Sequence, residues 1–280
     1  MYTGTWKGRF RHGYGEMQWT DGAKYEGQWE DNCAHGKGKF FHVDGDIYEG
    51  RWAYDKANGY GKYMHSNGAM YEGTWRDDVQ HGEGRELWAD GASYEGSYSY
   101  GKKEGIGTYI WGDKSSYTGE WENNNICGKG IYKWNDGKKY TGEWKDNNMN
   151  GFGLYEWIEG RKYLGFYIND QKQGYGKYLW NSTRQFQGWW YKNKQHGVGK
   201  YIESESKYGL WEEGRRIKWF TAEEVQSINE GTLDYTTFFE LEKNRSEVPK
   251  DQLFEPPLRF VEAQMIFEKS FPDLSLEEFI

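Results

Sequence analysis

Four of the six histidines, His12, His35, His81 and His196, are the first residues on which a metal ion or a proton transfer could be hung. They are separated by multiples of 23 residues. Other residue types capable of chemistry keep the same spacing. Gly-x-Gly pairs, which in a phosphate cradle bring backbone N–H groups against an anion, stand at Gly13/Gly15, Gly36/Gly38, Gly59/Gly61 and onward to Gly197/Gly199. Glu26, Glu49, Glu72 and Glu95 form a third column, from which an acid and a base could be drawn. Cys33 and Cys127 are the two thiols.

The period argues against each of these chemistries. Equivalent positions in successive hairpins lie two strands apart, about 9.6 Å. A metal ion holds its ligands at about 2 Å, so one ion cannot bridge the histidine column. The cysteines fall four repeats apart, roughly 38 Å on the same spacing, which rules out an internal disulfide. None of the Gly-x-Gly pairs completes a dinucleotide fingerprint or a Walker loop, and none precedes a helix. The glutamates read as a solvated ladder, and no nucleophile, base and orienting group stand out from the columns. The sequence therefore offers no catalytic, cofactor-binding or metal-binding residues and no small-molecule substrate. A non-enzymatic protein is expected.

The elements behind the columns follow from alternation. The pattern aromatic-x-Gly-x-aromatic starts at Tyr2, Tyr25, Tyr48, Tyr71, Tyr94, Tyr117, Tyr140, Tyr163 and Phe186 without a slip. Tyr25, Gly27 and Trp29 alternate with Glu26 and Gln28, which is the strand period. Asp-Gly or Asn-Gly at 21–22, 44–45, 67–68, 90–91 and 136–137 reads as the hairpin connections. Each cycle is one hairpin. The expected fold is all-β: an elongated single-layer antiparallel meander of tandem 23-residue hairpins, with a short α-helical C-terminal tail. A glycine beside a ring lets the ring lie over the backbone. Tyr25, Gly27, Trp29, Gly36 and Gly38, with Tyr71, Gly73, Trp75, Tyr140, Gly142 and Trp144, are the expected repeat core. Tyr208, Gly209 and Trp211 keep the residue types at a shortened spacing, as a terminal repeat does. The array is placed at 1–213 and the helical extension at 214–280.

Composition agrees with this style of core. Only 36% of residues are apolar, yet 19% are aromatic, and 39 glycines accompany 4 prolines. Rings replace aliphatics. The formal charge of −8 disfavours nucleic acid and disfavours, more weakly, an anionic membrane. Residues 214–280 carry 8 Lys/Arg and 14 Asp/Glu, leaving 28 against 30 for the array. The array is nearly neutral. No apolar run approaches membrane-spanning length, and the N-terminus lacks the blocks of a signal peptide, so a cytoplasmic chain is expected.

The pattern resembles the MORN repeat family, whose Y-x-G-x-W, H-G-x-G and W-x-D-G elements are matched by Tyr25, Gly27, Trp29, His35, Gly36, Gly38, Asp44 and Gly45. The resemblance covers about residues 1–213. Tyr98 and Tyr167 depart from the Trp, and Asn58, Glu104, Cys127, Asn150 and Gln173 from the His. It implies a protein–protein scaffold or structural subunit whose partners are other proteins of a multi-subunit assembly. Its expected setting is cytoplasm and cytoskeleton, with the cilium and axoneme included through radial-spoke-like relatives. The alternative the family implies is a membrane-associated adaptor binding acidic phospholipids through its repeats.

One face of the array changes along its length. Repeats one to four present Glu16, Lys37, Lys39, Lys62, Glu83 and Arg85 opposite the rings. From the fifth repeat the corresponding positions become Ile106, Ile131, Phe152, Leu154, Tyr175 and Val198, joined by Leu164, Phe166 and Trp189. Such a strip is expected to be covered, by a partner or by the tail. Thr221 and Glu224 form a capping box for a first tail helix. A second helical stretch runs near 233–244, and Phe260 and Phe267 share one side of a third at 258–270. The tail is expected to dock on repeats five to nine or, alternatively, on a partner.

Overall fold

The alternating segments fold as hairpins, and the chain is antiparallel β-sheet almost throughout. A computed structural model describes residues 1–230 as twenty strands and one helix. They divide into two compact units, residues 1–135 and residues 136 onward. The first contains β1 (Tyr2–Lys7), β2 (Phe10–Gln18), β3 (Lys24–Glu30), β4 (Cys33–Phe41), β5 (Ile47–Ala53), β6 (Lys56–Met64), β7 (Met70–Arg76), β8 (Val79–Leu87), β9 (Ser93–Ser99), β10 (Lys102–Ile110), β11 (Ser116–Glu122) and β12 (Asn125–Lys133). The second contains β13 (Lys139–Lys145), β14 (Asn148–Glu156), β15 (Lys162–Ile168), β16 (Gln171–Leu179), β17 (Gln185–Tyr191), β18 (Lys194–Ile202), β19 (Ser206–Glu212), β20 (Arg215–Trp219) and α1 (Ala222–Glu230). Within each unit every strand pairs antiparallel with its sequence neighbours. β20 extends the sheet past the expected boundary at 213, because Arg215–Trp219 can still pair with β19.

The two glycines of each Gly-x-Gly have different jobs. Gly27 faces Gly38 and Trp29 faces Ala34, so Gln28 stands opposite three residues, His35, Gly36 and Lys37. This bulge needs a left-handed residue, and Gly36 supplies it at φ 71°. Gly38 instead lies under a ring. A Cβ on its partner Gly27 would sit 2.5 Å from the Gly38 Cα and 2.6 Å from the Tyr25 hydroxyl.

The tight hairpin turns are not at the Asp-Gly sites. Those sites lie in longer loops, such as 19–23, closed by Trp19 N–H to Ala23 C=O and by Ala23 N–H to the Asp21 carboxylate. The two-residue turns are Asp31-Asn32, Tyr54-Asp55, Asp77-Asp78, Asn123-Asn124 and their equivalents, with both φ values positive. At the second turn position an Asn or Asp side chain accepts a hydrogen bond from the preceding hairpin. Arg11 N–H reaches Asn32 Oδ1 at 2.9 Å, Ala34 N–H reaches Asp55 Oδ1 at 2.6 Å, and Ala57 N–H reaches Asp78 Oδ1 at 2.7 Å. The turn backbone returns the bond, Asp55 N–H donating to Ala34 C=O at 3.0 Å. Each turn thus fastens its repeat to the one before.

Rings complete that attachment. Tyr25 meets Trp29 of its own repeat at 5.0 Å and Trp52 of the next at 5.3 Å, both edge-on. Tyr48, Trp52 and Trp75 repeat the arrangement, as do Tyr163, Tyr167 and Trp190 in the second unit. Each such pair contributes about 1 kcal/mol beyond the area it buries. In the repeat of Tyr25 the polar tips are satisfied: Tyr25 donates to Gln28 C=O at 3.0 Å, and Trp29 Nε1 donates to Gly15 C=O at 3.1 Å.

Candidate interaction surfaces

Of the expected repeat core, Tyr25, Gly27, Trp29, Tyr71, Gly73, Tyr140, Gly142 and Trp144 are buried, whereas Trp75, Gly36 and Gly38 are half-buried. The same front face holds a second row of rings, built from aromatic-x-aromatic steps at the ends of the longer strands. In the first unit Tyr109–Trp111 and Tyr132–Trp134 are each 4.6 Å apart, and in the second Tyr155–Trp157 are 4.5 Å apart. Phe40–His42 and Tyr63–His65 occupy the same row, which explains those two histidines. Sequence reasoning missed this row, although the recurring aromatic-x-(Trp/His) steps Phe40-x-His42, Tyr63-x-His65, Tyr109-x-Trp111, Tyr132-x-Trp134 and Tyr155-x-Trp157 were its signal.

The histidine column serves the tight turns. His35 packs edge-on against Tyr54 at 5.3 Å, and His81 accepts weakly from Tyr100 N–H at 3.4 Å. Glu104 takes the same place by accepting from Asn123 N–H at 3.0 Å. Among the described residues no group of three or more His, Cys, Asp or Glu converges as a metal site. Two lysines deviate from their column. Lys172 places its ammonium over Trp157, Tyr163 and Trp190 at 5.2, 5.2 and 5.9 Å, and burial there lowers its pKa to about 8. Lys103 is similarly lowered by burial, against the pull of Glu86.

The back of the first unit carries a row of charges that alternates strand by strand. Glu26 pairs across with Lys39, Lys39 with Glu49, Glu49 with Lys62, Lys62 with Glu72, Glu72 with Arg85, and Arg85 with Glu95. Lys39–Glu49 and Lys62–Glu72 close to 3.2 and 3.5 Å. These exposed pairs contribute about 0–1 kcal/mol each, so their value is in patterning a surface, not in stability. At the end of this unit Ile106 is 62% exposed beside its partner Glu120, and Ile131 is half-buried opposite Thr118. The buried strip therefore does not begin in the fifth repeat as the sequence suggested. The charged Glu120 stands across from Ile106 and the polar Thr118 across from Ile131.

The back of the second unit is apolar and buried. Phe152, Leu154 and Leu164 are 6, 7 and 4% exposed and pack with the half-buried Phe166. Next to them Tyr175, Val198 and Leu210 pack with Ile228 of α1, and with Trp189, Tyr208 and Phe220. The helix starts as its capping box requires: Glu224 N–H donates to Thr221 Oγ1 at 3.3 Å, and Thr221 N–H to Glu224 Oε2 at 2.9 Å. Lys218 and this Thr221 N–H hold the Glu224 carboxyl below the usual carboxylate range. The first part of the tail thus folds onto repeats eight and nine, while Phe260 and Phe267 lie outside the described residues.

A model of the MORN repeat matches nine times, at residues 2–24, 25–47, 48–70, 71–93, 94–116, 117–139, 140–160, 163–182 and 186–202. The chain belongs to the MORN-repeat family. MORN hairpins account for the strand pairs up to residue 202, and β19 with β20 adds a shortened one. Family membership supports a protein-interaction or scaffold role. Among solved structures, the TCP10 domain of Danio rerio CPAP, in complex with a peptide of STIL, is similar at 11% identity and a TM-score of 0.44, over 75% of this chain and 95% of that one. The TCP domain of Drosophila melanogaster SAS-4, with a proline-rich motif of Ana2, reaches 8% and 0.34 over 61% and 87%. Scores of this size carry no functional argument. No curated protein matches the chain.

Proposed function

We propose that this MORN chain is a non-enzymatic protein–protein scaffold, a structural subunit of a multi-subunit assembly in the cytoskeleton or the ciliary axoneme. The observation that carries the reading is the division of labour within the repeat. The Tyr–Trp ladder, the glycines beneath it, the turn amides and the histidine column build each hairpin and join it to the next. What the second to fourth hairpins present outward is a cross-strand pair of opposite charges, Glu26–Lys39, Glu49–Lys62 and Glu72–Arg85, on strands about 4.8 Å apart. A regular row of this kind suits an extended protein partner with its own charge pattern. The cytoskeletal and axonemal setting rests on family character. Anionic membrane is disfavoured, because Lys39, Lys62 and Arg85 each stand between two glutamates.

The test is affinity capture of the full chain from its native cell, with mass spectrometry, alongside sedimentation with anionic and neutral vesicles. The scaffold reading expects protein subunits retained in fixed stoichiometry and no vesicle binding. Salt-sensitive sedimentation with anionic vesicles, without stoichiometric protein partners, would favour the phospholipid adaptor instead.

A further inference from the structure

The second row of front-face rings is interrupted in the fourth repeat. Where Phe40, Tyr63 and Tyr109 stand in their own repeats, the fourth has Glu86. A carboxylate in the place of a ring opens a cavity of about 260 Å³ lined by Tyr63, His65, Tyr71, Trp75, Glu86 and Trp88, with Gln80 beside them. Glu86 is held in position. The buried Tyr98, which stands where Trp75 and Trp121 stand in the neighbouring repeats, donates from its hydroxyl to Glu86 Oε2 at 2.9 Å. Asp46 fixes another wall. It lies in a column that holds Ala23, Ala69 and Ala92 in nearby repeats, and its carboxylate contacts His65 Nδ1 at 2.8 Å and accepts from the Tyr63 hydroxyl at 3.0 Å.

The chain itself shows what such a cavity takes. One repeat on from Gln80 stands Lys103, whose ammonium lies over Trp88, Tyr94 and Tyr109 at 5.0, 5.2 and 5.6 Å. Four repeats on, Lys172 enters the cage of Trp157, Tyr163 and Trp190. One repeat before the walls of the Lys103 cage come His65, Tyr71 and Glu86, and all three line the present cavity. Gln80 brings no charge to it. We propose that this cavity binds the ammonium of a lysine side chain belonging to a protein partner. The source of the lysine rests on the scaffold reading; the cation chemistry does not. Ring faces attract an ammonium, and the Glu86 carboxylate supplies a charge that a cage of three rings lacks. Arginine is the poorer fit. Arg11, in the same column, lies over Trp29 at 4.3 Å but also donates to the turn residue Asn32, to its carbonyl at 2.6 Å and to its Oδ1 at 3.4 Å. The turn residue that bonds Gln80 is Gly101, which offers no side-chain acceptor.

The test is an NMR titration of the free full-length chain with Nα-acetyl-lysine methylamide, following the indole N–H signals of Trp75 and Trp88. Saturable shifts are expected at both, and none with Nα-acetyl-norleucine methylamide, which carries the butyl chain without the ammonium. Glu86→Gln is expected to weaken binding on the order of tenfold, because the amide still accepts from Tyr98 but has no charge. Gln80→Lys leaves Glu86 in place, and its own ammonium is expected to enter the cage as Lys103 does and abolish binding of the probe. Equal shifts with the norleucine probe, unchanged affinity in both variants, or tighter binding of Nα-acetyl-arginine methylamide overturns the proposal. In the captured complex, carbodiimide is expected to couple Glu86 to a lysine of a partner. Stoichiometric subunits with the cavity still open to the probe would overturn the lysine docking and leave the scaffold reading standing. Capture without subunits would fail the scaffold reading, while the titration of the free chain still decides the cavity.

Discussion

At the scale of the residue, Tyr25 and the glycines beneath it show how tightly one MORN hairpin is specified. A methyl group on Gly27 would meet both the Gly38 Cα and the Tyr25 hydroxyl, and backbone cannot yield as a flexible side chain can. Gly27→Ala is expected to cost about 3 kcal/mol, measured as a fall in the denaturant midpoint of the first unit. Tyr25→Phe removes only the bond to Gln28 C=O and is expected to cost about 1 kcal/mol. Phe186, which fills the equivalent place with 0% exposure, shows that the ring matters more than its hydroxyl. Lys172 makes the opposite case. Its folded pKa, lowered by burial to about 8, lies below its ordinary value of 10.5, so the folded chain favours the neutral amine. The penalty for burying the ammonium is present below pH 8 and fades between 8 and 10.5. Lys172→Met is therefore expected to raise the unfolding midpoint at pH 7, with the gain shrinking by pH 10; a gain that stays constant across that range would remove the lysine's charge from the account.

At the scale of the element, the lock between hairpins is an Asn or Asp at the second turn position. Asp55 combines φ 65° with acceptance of the Ala34 N–H bond. Asp55→Ala loses both features and is expected to cost about 2 kcal/mol, with faster exchange of the Ala34 amide. Asp55→Asn is expected to be neutral, since Asn32, Asn124 and Asn193 already do the same work. Strands, period and the ladder of Tyr25, Trp29 and their equivalents were legible in the sequence because the side-chain alternation and the ring-over-glycine packing are local. The tight turns were not. Tyr54-Asp55 and Lys192-Asn193 carry no Asp-Gly signature, and what holds them is a contact 21 residues back in the chain. Ile106 was misjudged for a related reason. An apolar residue type reports burial only where a second layer exists, and Ile106 stands exposed across from the charged Glu120.

At the scale of the whole molecule, one repeat pattern carries two backs with different uses. In the second unit the back receives α1, a contact foreshadowed by the Thr221–Glu224 capping box. In the first unit the back displays the alternating row from Glu26 to Glu95, which was visible in the sequence only as separate acidic and basic columns. Cross-strand register joined them into a row. The central claim is that this row is what a partner protein reads. Hydroxyl-radical footprinting of the captured complex tests it most directly. The account predicts protection recurring at 23-residue intervals on the back-face residues Glu26, Lys39, Glu49, Lys62, Glu72, Arg85 and Glu95, with the front-face rings outside the cage of Trp75 and Trp88 unchanged from the free protein. Protection confined to the front face, or to one compact cluster without the repeat period, would contradict it.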